Sequence, residues 1–110
     1  MIREVFITSR AQRQLAESAL WWAENRDVPQ AARWLQGFEL AITELAQDAE
    51  KHSLSRENGL YDLPLPVRQL LYGVGRKPSH RAVFEIRGSI VYVVAVRHLA
   101  QKDLTQDELL

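Results

Sequence analysis

The most constraining feature of the chain is an apolar ladder at Ala31, Trp34, Leu35, Phe38, Ala41, Ile42, Leu45 and Ala49. Its i, i+3, i+4, i+7 spacing is that of a helix with one buried face, and it is the strongest periodicity in the sequence. Asp27 and Gln30 have capping-box spacing around Pro29, a residue that the first helical turn tolerates, so this helix starts there. An earlier helix is expected from Ser9 and Gln12, starting near Arg10, burying Leu15, Ala19 and Trp22 and ending at about Asn25. So short a link between two helices implies an antiparallel hairpin. Trp21, Trp22, Trp34 and Phe38 fall at helical spacing, which favours core positions. A Trp21 left exposed would instead suit a partner surface.

β-signals flank the helices. Ile2–Ile7 is a short, β-branched first strand, and Val67–Tyr72 a later one ended by Gly73 and Gly75. The clearest pair is His80–Arg87 and Ile90–Arg97 around Gly88-Ser89. Residues 52–66, with Asn58-Gly59, Pro64 and Pro66, are expected to be a connecting loop. The order implies an α+β fold, residues 1–110 forming one domain: an N-terminal strand, a helical hairpin, then a mostly antiparallel sheet of three further strands. With a two-residue loop, His80, Ala82, Phe84 and Ile86 share a face with Val91, Val93, Ala95 and Arg97. That set, the more apolar, is expected against the helices. Arg81, Val83, Glu85 and Arg87 then share the other face with Ile90, Tyr92, Val94, Val96 and His98. A bulge would exchange part of the pairing. Thr105 and Glu108 suggest a last capped turn in the acidic tail.

Several classes are excluded. The longest apolar run, Ile90–Val96, is far short of a membrane helix, and Met1–Glu4 lacks a signal-peptide layout, so a cytoplasmic protein without membrane contact is expected. The absence of cysteine removes disulfides, thiolate metal sites and cysteine nucleophiles. His52, His80 and His98 are too isolated to suggest a metal site, and no cofactor is implied. Gly73-Val74-Gly75 precedes no helix, which rules out a dinucleotide fingerprint.

The net charge of zero hides an asymmetry: residues 1–66 and 103–110 are each net −3, and residues 67–102 net +6. The basic stretch carries Arg76, Lys77, His80, Arg81, Arg87, Arg97, His98 and Lys102, with Glu85 its one acid. Arginine binds phosphate bidentately and histidine titrates near neutrality. Such a set suits metal-free RNA cleavage, one group taking a 2′-OH proton while cations stabilise the phosphorane. It equally suits cross-strand ion pairing.

The order of motifs adds a resemblance. Ser9-Arg10-Ala11…Leu15 and Pro29-Gln30-Ala31-Ala32 open the two helices, and His80–Ile86 opens the hairpin. Val93–Val96 then runs into Arg97-His98 and Lys102-Asp103-Leu104. Together, over residues 2–104, they resemble the RelE/ParE superfamily, the toxins of type II toxin–antitoxin modules (the plasmid stabilisation type). The resemblance implies a small cytoplasmic toxin neutralised by a cognate antitoxin that wraps an extended or helical segment over it. RelE-like members cut mRNA at the ribosome; ParE-like members poison DNA gyrase. Arg81 matches the strand arginine that RelE-like nucleases use on the scissile phosphate, and His98 and Lys102 match the final basic cluster. Arg81, Arg97 and His98 are therefore the catalytic set if the chain is RelE-like. Arg76, Lys77, His80, Glu85, Arg87, Tyr92 and Lys102 are the candidate binding surface, and the face with Tyr92, Val94 and Val96 is the expected antitoxin contact. Departures favour a ParE-like toxin that acts by binding. Val67–Tyr72 lacks a lysine pair, Phe84 stands where tyrosine is common, no Tyr or His follows His98, and the chain is not basic overall. The nuclease, a non-toxic relic or regulatory partner, and a homodimer remain open.

Overall fold

The computed structural model describes residues 2–109. Strand β1 (Glu4–Ile7) leads into helices α1 (Ser9–Asn25) and α2 (Val28–Thr43), a short α3 (Leu45–Asp48) and two 3₁₀ turns (Ala49–Lys51 and Arg56–Gly59). Strands β2 (Val67–Tyr72), β3 (His80–Arg87) and β4 (Ile90–His98) follow, and a single turn, α4 (Gln106–Leu109), closes the chain. The four strands form one sheet in the order β1-β4-β3-β2, parallel at β1–β4 and antiparallel elsewhere. No helix among the described residues is long and apolar enough to cross a membrane.

The α2 ladder does what its spacing demands. Trp34, Phe38 and Ile42 are buried along α2, and Leu45 and Ala49 continue the face beyond it. Each such large side chain, removed from water, contributes roughly 1.5–3 kcal/mol. The Asp27 carboxylate accepts the Gln30 N–H at 2.7 Å, as its spacing requires. The ladder is not one continuous helix, because α2 ends at Thr43, whose hydroxyl donates back to the Glu39 carbonyl, a bond that bends helices. For α1 the cap is Thr8 rather than Ser9: the Thr8 hydroxyl accepts the Ala11 N–H at 3.2 Å, and the Gln12 amide instead donates to the Ile7 carbonyl. The hairpin turns at Gly88-Ser89, with Gly88 taking the positive φ of 56° that glycine accepts freely.

One irregularity resets the faces of that hairpin. Val83 pairs with Ala95, yet Phe84 pairs with Val93, so Val94 is an extra residue on β4. Before it, Val91 and Val93 face the helices as expected. Beyond it the alternation is inverted: Val96 joins the core under the helices, while Ala95 joins a second cluster with Val67, Val83, Leu104 and Leu109 on the outer face. The expected placement of Ala95 and Arg97 against the helices, and of Val96 and His98 away from them, is corrected accordingly. The tail turn forms as its spacing suggests, the Glu108 carboxylate accepting the Thr105 N–H at 3.0 Å. It is no loose end, since Leu104 and Leu109 seal the outer cluster.

Candidate functional site

The site is built where β3 begins and β4 ends. His80 lies opposite His98, and Arg81 opposite Arg97. Because a strand alternates its side chains, the histidines turn toward α1 and α2 while the arginines turn to the outer face.

Two like charges directly opposite each other repel, and a cation shut away from water needs a counter-charge. The chain meets both demands from outside the sheet. Arg81, only 5% exposed, donates from Nη1 to Glu57 Oε1 at 2.9 Å and from Nη2 to Oε2 at 2.5 Å. Nη1 also reaches the Ser55 hydroxyl at 3.1 Å. Burial alone would raise the Glu57 pKa. Its bonds from Arg81, Ser55 and the Leu104 N–H outweigh that and hold it down at about 2. Arg97 donates from Nη2 to both carboxylate oxygens of Glu108 at 3.0 Å. Glu57 also accepts the Leu104 N–H at 3.0 Å, so the loop and the tail lock each other over the two arginines. Arg81, expected on a scissile phosphate, is thus sealed in a buried ion pair.

On the other face the molecule leaves a groove of about 670 Å³ between α1 and the strand ends. Gln14, Glu17, Ser18, Trp21 and Trp22 form its helical wall, while Ser79, His80, Val96, Arg97, His98 and Gln101 line the other side. Its aromatic residues form a chain: Trp21 stands edge-on to Trp22 at 5.4 Å, Trp22 lies against Trp34, Trp34 against His80 at 4.9 Å, and His80 against His98 at 5.0 Å. Burial, together with the nearby His98, pushes the His80 pKa down to about 4, so its ring stays neutral at pH 7. His98 is exposed and accepts the Ala100 N–H on Nδ1 at 3.0 Å.

The remaining candidates separate. Arg76 and Lys77 are exposed in the tight β2–β3 loop, where a Cβ on Gly73 would meet the Lys77 carbonyl at 2.6 Å. Lys102 is exposed beyond β4. These segments leave the sheet at the groove end, joined by the Leu99 N–H to the Ser79 carbonyl at 2.9 Å. Glu85, Arg87 and Tyr92 sit at the hairpin end of the outer face. Buried Glu85 pairs with Arg87 at 2.5 Å, and Arg87 lies over the Tyr92 ring at 4.9 Å. Five strand residues, roughly 17 Å, separate Glu85 from His80. Glu85 therefore stands apart from the His80–His98 pair. Sequence reasoning missed Glu57 and, on the α1 wall, singled out Trp21 alone as a surface position, which is indeed exposed. The one signal for Glu57 was stoichiometric: a strand arginine turned under a loop needs a carboxylate, and residues 52–66 hold only Glu57 and Asp62.

The four-stranded sheet with a parallel β1–β4 edge, covered on one face by a helical hairpin, is an α+β fold of the ParE-like kind. The structure superposes on a solved chain described as the chromosomal ParDE TA system from P. aeruginosa. The TM-score is 0.68 at 15% identity, covering 88% of this chain and 96% of that one. The family model for the ParE toxin of the type II toxin–antitoxin system, parDE, matches residues 5–103, and the chain belongs to that family. It is the toxin component of a type II module, and an antitoxin is its partner. No curated protein sequence matches it at a significant level.

Proposed function

We propose that this toxin acts by binding, with DNA gyrase as its target, in the cytoplasm and without catalytic residues of its own. The observation that carries this reading is the sealing of Arg81 by Glu57. A nuclease of this superfamily needs that guanidinium on a phosphate, and freeing it would strand Glu57 as a buried, unpaired carboxylate, a cost of several kcal/mol. Arg97 is engaged by Glu108 as well, and Glu85 lies at the far end of the sheet. A binding toxin needs an accessible surface instead, and Arg76, Lys77 and Lys102 offer one at the groove end. For the antitoxin, the outer face near Phe6, Tyr92 and Val94 is the proposed contact. Phe6 is 54% exposed there and stands 5.6 Å from the Tyr92 ring, whereas Val96 is spent on the core.

The test pairs two assays on the free toxin. Micromolar protein is expected to block gyrase supercoiling or to accumulate cleaved DNA, and methionine incorporation is expected to continue for the first minutes after induction in a bacterium. Untouched gyrase with a collapse of incorporation would move the target to the ribosome. Normal growth on induction would leave a non-toxic relic.

A further inference from the structure

We infer that the groove between α1 and the ends of β3 and β4 binds one unstacked nucleobase with its phosphate, as presented by a single-stranded nucleic acid or a free nucleotide. The inference goes beyond the gyrase reading and does not depend on it.

Three observations converge. The first is aromatic surface left open on both walls. Trp21 is 53% exposed although it touches Trp22, and His98, exposed on the sheet side, continues the ring chain through His80. A planar π-face at the rim of a groove is what an unstacked base packs on, whatever its identity. The volume of about 670 Å³ suits a nucleotide-sized ligand.

The second is the polarity of the lining. Gln14 and Gln101 spend their carbonyl oxygens on the N–H groups of Val96 and His98, at 2.8 and 2.7 Å, so each has its NH₂ left to offer. His98 uses Nδ1 as an acceptor and keeps Nε2–H as a donor. The groove therefore asks for acceptors, and a base edge supplies them as ring nitrogens and carbonyls. Glu17, the one carboxylate of the lining, matches an exocyclic amino group and repels a phosphate from the helical end.

The third observation is where the positive charge lies. Arg76, Lys77 and Lys102 leave from the sheet end of the groove and take part in no ion pair among the described residues. A phosphate attached to the base meets cations there. Aromatic faces beside exposed cations are the combination that holds single strands.

The experiment titrates the whole chain into a labelled mixed-sequence DNA strand of about ten nucleotides, the same sequence as a duplex, and AMP. Anisotropy and tryptophan emission are followed at low salt. The strand is expected to bind and to quench emission, with the duplex weaker. Trp21→Ala, at an exposed position, should weaken binding about tenfold, and Trp21→Phe should restore most of it. AMP binding with the same dependence on Trp21 identifies the free nucleotide as the source, and strand binding without AMP binding identifies the polymer. Either supports the site. Absence of binding to all three probes, or strand binding indifferent to Trp21→Ala, overturns it. So does a Trp21→Ala variant that loses only its antitoxin, which would make the groove a protein-docking surface. Gyrase inhibition measured on the same preparations reports on the other reading separately.

Discussion

The two faces of the β3–β4 pair start from the same chemistry, a histidine beside an arginine on each strand, and reach opposite states. On the outer face Arg81 and Arg97 are each met by a carboxylate delivered from outside the sheet, and leucines from the tail close over them. On the helix face His80 and His98 meet edge-on at a groove that none of the described residues fills. The difference is one of desolvation. A guanidinium cannot shed its charge, so covering it obliges the fold to supply an anion. A histidine can go neutral, so His80 is buried against Trp34 without a counter-ion. The covered face thus became framework, and the face free of permanent charge could stay open.

The largest expected effect breaks the covered face. Glu57→Ala leaves Arg81 buried and unpaired and should cost about 3–5 kcal/mol in urea unfolding. A loss below about 1 kcal/mol would mean that the pair is not the framework element argued for. Replacing both partners, Glu57→Leu with Arg81→Met, should recover most of that loss, because two apolar side chains of similar volume leave no charge stranded. This double variant should still arrest growth, whereas a nuclease dependent on Arg81 would fall silent.

A smaller effect separates the faces by pH. His80 titrates near 6.5 when unfolded and at about 4 in the folded chain. As pH falls through that window the unfolded state takes up a proton that the native state refuses, so stability drops, by on the order of 3 kcal/mol. For Glu57 the ordinary 4.5 is lowered to about 2, so its contribution is present above pH 4.5 and fades below it. Thermal melts of the wild type should therefore show acid loss beginning below pH 6.5. His80→Gln should flatten the arm from 6.5 to 4 and leave the lower one intact.

The smallest effect is at the tail. Arg97 and Glu108 retain 17% and 22% of their side-chain exposure, so Glu108→Gln should cost under about 1 kcal/mol. A loss as large as that of Glu57→Ala would make both ion pairs equal partners in the framework.

Local signals carried much of the fold. The α2 ladder, the Asp27 cap, the Gly88 turn and the Thr105–Glu108 box all act within a few residues, and each formed where its spacing placed it. Thr8 displaced Ser9 as the α1 cap because the chain enters the helix from β1 one residue earlier than the capping-box spacing implies. The site was less legible. Glu57 was not singled out, and the arrangement of the strand residues turned on the single extra residue at Val94, which carries no sequence mark and exchanges the faces of everything after it on β4.

By itself, the sequence determined the periods: which stretches are helix and strand, which helix faces are apolar, and that positive charge gathers in residues 67–102. Those properties depend on neighbours a few positions apart. Only the tertiary structure decided which charges are neutralised and which surface stays open. Glu57 and Arg81 lie 24 residues apart, and Trp21 and His98 belong to opposite ends of the chain. Burial is a property of the whole packing, and no local pattern states which carboxylate a buried arginine will find.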